Sequence, residues 1–227
     1  MFYLLLTGFS PSILRGVLFF IFFSINKIYY LYIKTINIFI LIIALTLLIN
    51  PFYIYEIGFI YSFIISFSLI IMGNFINKYN NYIVKLFVTS SISFIASLPI
   101  SIYNFYQINL LSIIYNLFYV PFISVIIFPM AILSFIFPIF RVIFNMLIII
   151  LEKSSLFLSK ISILKMIFMR ISFYIYIIYF IYIIICFVGL YRKKYIFSIF
   201  LLLLICIHFF MPYFDNSDYM KVIDVGQ

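Results

Sequence analysis

The chain has 227 residues, of which 68% are hydrophobic and only 8% are charged, whereas the apolar share of a globular domain is about 45–50%. This composition, with a mean hydropathy of +1.35, excludes a soluble domain and indicates an all-α polytopic membrane protein. The formal net charge of +9 fits cationic cytoplasmic loops under the positive-inside rule, with affinity for nucleic acid as the alternative.

The first predicted helix begins near the N-terminus. Ser10 is its expected N-cap, and Pro11 takes the favoured first helical position. Arg15 lies about one turn inside this helix. Its guanidinium either snorkels to the interface or forms a structural pair, or it faces the bundle and marks a pathway.

The next two predicted helices flank an Asn-Pro turn. Residues 37–49 form an apolar run that is short for a bilayer crossing of about 20 residues. A third helix follows and ends near residue 72. Glu56, the first acidic residue of the chain, stands near its start. It is either an interfacial residue favoured by the helix dipole or an ion-pair partner for Arg15.

The fourth predicted helix spans residues 82–102 and is rich in serine, which allows close helix packing. Pro99 is expected to weaken its last turn, and residues 104–108 are expected to form a short connection. A fifth segment, 109–128, is predicted to be kinked near Pro121.

Four amides stand in this otherwise apolar stretch, at Asn104, Gln107, Asn109 and Asn116. An amide left unpaired in lipid is costly. Non-helical backbone is likewise tolerated in a membrane only against protein or a water-filled cavity. The stretch is therefore predicted to pack inside the bundle and to contain an interrupted helix beside a pathway.

The C-terminal half is predicted to contain a sixth helix at 130–151, which includes Arg141, and two more at 171–190 and 195–211. Between them, residues 152–170 alternate polar and apolar side chains at helical spacing. That pattern favours an amphipathic helix lying in the interface. The expectation is thus about eight transmembrane helices and one interfacial helix.

Loop cations predict the orientation of these helices. Most fall on one side of an eight-crossing arrangement, which the positive-inside rule makes cytoplasmic. These are Lys27, Lys34, Lys78, Lys85, Arg192, Lys193 and Lys194. The C-terminus is therefore expected outside the cytoplasm.

Catalytic signatures are missing from the sequence. It contains no phosphate-binding loop, dinucleotide fingerprint, zinc-protease motif or nucleophile elbow. The single histidine, His208, lies in an apolar run and is more typical of a packed residue than of a ligand. No catalytic residue, metal site or cofactor is predicted, and the chain is not expected to be an enzyme.

Several motifs occur in an order that resembles one family, the ComEC-type competence proteins. The first is TGFSPSILRG at 7–16. The second is NPFYIYEIGFIYSF at 50–63, in which Glu56, Gly58 and Ser62 match an acid, glycine and serine signature, although an aspartate is usual at 56 and a glutamine at Ile60. The others are LP at 98–99, FYQI at 105–108, Asn116, Pro121, Pro129 and DVGQ at 224–227.

The resemblance implies a membrane competence-type domain over 1–211, followed at 212–227 by the start of a metallo-β-lactamase-like domain. It implies a component of an inner-membrane channel that admits single-stranded DNA during natural transformation. The implied location is the bacterial cytoplasmic membrane, and the implied partners are single-stranded DNA, the lipid bilayer and other competence proteins. The family's N-terminal soluble domain and its metal-binding residues have no counterpart in this sequence, which is expected to be an internal fragment.

Pathway or structural roles are expected for Arg15, Glu56, Gly58, Ser62, Pro99, Asn104, Gln107, Asn116, Pro121 and Arg141. Two alternatives to the DNA channel stay open. One is an unrelated small-molecule or lipid-linked transporter that binds its substrate at broken helices. The other is a non-functional remnant of a competence protein. The oligomeric state is open as well.

Overall fold

A computed structural model describes residues 10–160, 165–169, 173–192 and 196–214. Eight apolar helices follow one another within these ranges. They are α1 (Pro11–Ile28), α2 (Thr35–Ile49), α3 (Ile57–Ile71), α4 (Tyr82–Phe105), α5 (Ser112–Ile136), α6 (Arg141–Ser159), α7 (Phe173–Tyr191) and α8 (Ile196–Phe214). The short helical segments Pro51–Tyr55, Gly73–Ile76 and Pro138–Phe140 and two short strands, β1 (Gln107–Asn109) and β2 (Lys165–Ile167), complete the described fold.

Four of the helices are long and apolar enough to cross a membrane, namely α1, α4, α5 and α6. The other four have shorter apolar stretches. The all-α membrane architecture is therefore confirmed. The expected total of eight crossings stays a prediction.

Local sequence signals explain where several helices begin and end. Pro11 occupies the first turn of α1, where its missing N–H costs nothing. The Asn81 side chain accepts a hydrogen bond from the Ile83 N–H at 3.0 Å and caps α4. Tyr106 adopts a left-handed conformation, with φ of 55°, and ends α4 there.

The first apolar core lies among α1, α2 and α3, where the aromatic rings of Phe39, Phe59 and Phe63 pack together. A second core centres on α4 and joins it to α3, α7 and α8. Within it, the Tyr179 hydroxyl and His208 Nδ1 are 3.0 Å apart and link α7 to α8. The interpretation of His208 as a packed residue is consistent with this contact.

The two strands pair antiparallel, with Ile108 opposite Met166. The Phe168 N–H also donates to the Tyr106 carbonyl at 2.8 Å. The expected amphipathic helix over 152–170 is therefore wrong, because residues 152–159 continue α6 and residues 165–167 form β2. The chain leaves the helical conformation after Phe105, and its exposed backbone groups find partners in β2 rather than in a helix of their own.

The boundary between the fifth and sixth helices is also different from the expected one. The predicted segments 109–128 and 130–151 are replaced by α5 and α6, which meet at a turn over Pro138–Phe140. Pro129 follows a π-helical stretch, Phe122–Ile127, where the hydrogen-bond register has already shifted, and so it does not end the helix. Pro138 instead holds Phe137 in an extended conformation and stops α5.

Candidate functional site

A polar groove opens between α4, β1 and the start of α5, with a volume of about 310 Å³. Most of its lining is uncharged and polar. The polar residues are Ser93, Ser97, Ser101, Gln107, Asn109, Ser112 and Asn116. Ile65, Phe94 and Ile108 complete the wall.

The serine spacing on α4 builds one side of this groove. Ser93, Ser97 and Ser101 are four residues apart and so lie above one another on one helix face. Small side chains there leave space that leucine or phenylalanine would fill. The Ser97 hydroxyl donates to the Phe94 carbonyl at 2.8 Å, and the Ser101 hydroxyl donates to the Ser97 carbonyl at 3.1 Å. Their remaining lone pairs can accept hydrogen bonds from the groove.

The opposite side carries two amides that sequence reasoning had already singled out. Gln107 lies on β1, and Asn116 lies one turn into α5. Within the described ranges, neither side-chain amide has a hydrogen-bond partner in the protein. Asn109 differs, because its side-chain oxygen accepts from the Leu111 N–H at 3.0 Å. Gln107 and Asn116 therefore keep donors and acceptors for water or a ligand.

Asn104 does not belong to the groove lining. It was expected in a connection but lies in the last turn of α4, where its amide donates to the Ile100 carbonyl at 2.9 Å. Pro99 is buried inside the same helix, which continues for six residues beyond it instead of ending near Ile102. The Asn104 side-chain amide is thus hydrogen-bonded within its own helix, unlike the amides of Gln107 and Asn116.

Arg15 forms a bond between helices rather than an ion pair. Its guanidinium Nη1 donates to the Ser62 carbonyl at 2.8 Å, while its buried Nε has no partner in the described part of the chain. The Ser12 and Ser62 hydroxyls are 3.4 Å apart beside it. Glu56 is exposed just before α3, and Gly58, the second residue of that helix, is exposed as well. Arg15 thus forms a structural bond between two helices, while the interfacial position of Glu56 stays a prediction.

Tyr61 joins the Arg15 contact to the groove, and sequence reasoning missed it. Its hydroxyl lies 2.7 Å from the Ser101 hydroxyl. The next residue, Ser62, receives the Arg15 bond. No local signal marks Tyr61, because the contact joins residues 40 positions apart. The serine spacing at 93, 97 and 101 was the signal that could have located the groove.

The two remaining candidates lie away from the groove lining. Arg141 is exposed at the first position of α6, not inside a helix as expected, because the turn at Pro138 moves the helix start. Pro121 lies inside α5 and is followed directly by the π-helical stretch. The helix is distorted after Pro121 but not interrupted.

Comparison with known proteins places the chain in a family. The family model described as "Competence protein" matches residues 1–195. The chain belongs to the competence protein family. The resemblance to ComEC-type competence proteins is confirmed by this match and by similarity to "ComE operon protein 3" of Bacillus subtilis (strain 168), 32% identical over 130 residues. That similarity covers 57% of this chain and 17% of the relative. No solved structure matches this competence family member.

Proposed function

We propose that this chain forms part of the inner-membrane path through which single-stranded DNA enters the cytoplasm during natural transformation. One observation carries the proposal: in a competence family member, the amides of Gln107 and Asn116, which have no partner within the described residues, lie in one groove with three serines of α4. Polar groups within a membrane protein are characteristic of a substrate pathway.

The lining of the groove suits a polyanion that has to pass through without being held tightly. Among the residues that the structure describes, the lining contains no acidic residue to repel phosphate and no lysine or arginine to hold it. Conduction requires contacts that favour entry and are weak enough to permit exit. Amide and hydroxyl donors meet that requirement, because they can hydrogen-bond phosphate oxygens but lack the positive charge with which lysine or arginine would hold them more strongly.

The size of the groove limits its role to a binding station on the path. Its volume of about 310 Å³ holds about ten waters at ~30 Å³ each. That space accommodates a hydrated phosphate with part of its sugar. Phe94 in the wall adds an aromatic face, and such faces contact bases without sequence preference.

The orientation that follows puts the groove at the external side of the cytoplasmic membrane. Pairing of β1 with β2 supports this arrangement, since it brings the connections after α4 and α6 to one end. In an eight-crossing arrangement most loop cations, Arg141 among them, lie at the other end, and Lys160 and Lys165 beside β2 are exceptions at the groove end. On this proposal the chain performs transport only. The start of a metallo-β-lactamase-like domain that the resemblance implies at 212–227 falls mostly outside the described residues, which end at 214.

The test is natural transformation with a chromosomal Asn116→Leu variant in the native host. We expect transformation to fall at least about tenfold, as for a barrier raised by ~1.4 kcal/mol, with unchanged amounts of protein in the membrane. Asn104→Leu is the matched control, because that amide lies outside the groove lining. It should transform almost as the wild type does.

Two results would contradict the proposal. If Asn116→Leu transforms normally, the groove is not on the DNA path. If deletion of the whole gene leaves transformation unchanged, the chain has no role in DNA uptake, and the transporter and remnant alternatives stand instead.

A further inference from the structure

A second, larger groove lies between α3 and α7 at the end of the bundle opposite β1 and β2. Its volume is about 920 Å³, within the range of about 300–1,000 Å³ that is usual for ligand sites. Ala96 of α4 and Met72, both buried, form its floor. The polar groove described above has a different lining, so the two are separate sites.

The walls of this second groove are apolar and open to the side. On α3 they include Phe67 and Ile71, which are 45% and 48% exposed, and on α7 they include Ile184, which is 61% exposed. In a membrane these side chains meet lipid tails, not water. The groove is therefore accessible from the bilayer.

Apart from Ser68, whose hydroxyl donates to the Ile64 carbonyl of its own helix, the polar groups of the lining occur at one end of the groove. Asn74 follows α3 and Arg192 follows α7, and both line the same opening. Among the residues that the structure describes, the Arg192 guanidinium has no hydrogen bond or ion pair. An exposed cation thus stands at the mouth of an apolar slot.

The length of the slot matches one leaflet. The lining runs from Ile64 on α3 to Asn74 just beyond it, and from Phe180 on α7 to Arg192 just beyond it, which is roughly 15 to 18 Å at the helical rise of 1.5 Å per residue. Half of a hydrocarbon core of about 30 Å is a similar distance. An acyl chain whose headgroup lies at Arg192 would reach the bilayer midplane within the groove.

From this arrangement we infer that the groove between α3 and α7 binds one anionic phospholipid of the cytoplasmic leaflet. One acyl chain lies along Phe67, Ile71 and Ile184, and the phosphate accepts hydrogen bonds from Arg192 and Asn74. Basic pockets between transmembrane helices on the cytoplasmic side recognise such headgroups. The lipid fills a gap that α3 and α7 leave over α4, and it completes their packing.

Photo-crosslinking of the purified full chain in mild detergent tests this inference. The probe is phosphatidylglycerol with a diazirine at the middle of one acyl chain, and phosphatidylcholine with the same chain is its neutral counterpart. We expect adducts on peptides covering residues 64–72 and 180–188. The yield with phosphatidylglycerol should exceed that with phosphatidylcholine by about fivefold, the factor for one cation near a lipid surface.

Arg192→Gln should lower the phosphatidylglycerol yield to the phosphatidylcholine level. Arg141→Gln is the matched control, since Arg141 is another exposed arginine on the same predicted side and lines neither groove. It should leave the yield unchanged. Equal yields for the two lipids, adducts spread over other helices, or no effect of Arg192→Gln would each overturn the inference.

Discussion

The bond between Tyr61 and Ser101 provides a test of whether the polar groove contains water. The Ser101 hydroxyl donates to the Ser97 carbonyl, so the Tyr61 hydroxyl donates to Ser101 at 2.7 Å. Tyr61→Phe removes this bond and leaves Ser101 satisfied by its own helix. Polar bonds between membrane helices average about 0.6 kcal/mol and reach about 1.7 kcal/mol. We therefore expect Tyr61→Phe to cost less than about 1 kcal/mol.

Ser101→Ala removes the same bond but leaves the Tyr61 hydroxyl without a partner. In a dry site this would cost about 1–3 kcal/mol, whereas water in the groove would replace the lost partner. Because the account requires a hydrated groove, Ser101→Ala should cost no more than Tyr61→Phe. The measurement is the free energy of unfolding from SDS titration in mixed micelles, followed by circular dichroism.

Ser91→Ala is the control for these variants, since Ser91 donates only to the Phe87 carbonyl, at 2.9 Å, and does not line the groove. It should change the free energy of unfolding by less than about 0.5 kcal/mol. A cost for Ser101→Ala more than about 1 kcal/mol above that of Tyr61→Phe would show a dry groove and refute the reasoning.

Two further predictions concern the C-terminal half. An alkaline-phosphatase fusion after Gln227 should be active and one after Lys194 should be inactive, because the basic run at 192–194 keeps its loop in the cytoplasm. The reverse pattern of activity would contradict the proposed orientation. Tyr179→Phe removes the 3.0 Å contact with buried His208, and we expect it to lower the free energy of unfolding in SDS titration by about 0.6–1.7 kcal/mol. An unchanged value would mean that this contact does not stabilise the pairing of α7 with α8.

Signals within a few residues of one another predicted much of the fold. Pro11 marked the start of α1, and the apolar runs located all eight helices. Most helix ends were predicted to within a few residues, and the exceptions are the end of α5 and both ends of α6. The order of the motifs predicted the family, which the match over residues 1–195 confirms. These features could be read because caps, prolines and hydropathy act locally.

Features that depend on distant contacts could not be predicted. The sequence of β2 fits the pattern of an amphipathic helix, and only its pairing with β1, which is distant in the sequence, shows that it is a strand. Pro129 and Pro138 are equal helix breakers in the sequence, and only the π-helical stretch before Pro129 distinguishes them. The bond from Arg15 to the Ser62 carbonyl spans 47 residues and uses a backbone acceptor, which no sequence pattern reveals.

Capture of DNA in transit tests the central claim most directly. A photoreactive benzoylphenylalanine is placed at Asn116 in the native host, and cells take up labelled DNA under illumination. Ile114 is the matched control position, because it lies two residues away on α5, is 59% exposed and does not line the groove. The account predicts DNA adducts from position 116 and none from position 114. Equal labelling at both positions, or no adduct at position 116 while transformation proceeds, would contradict it.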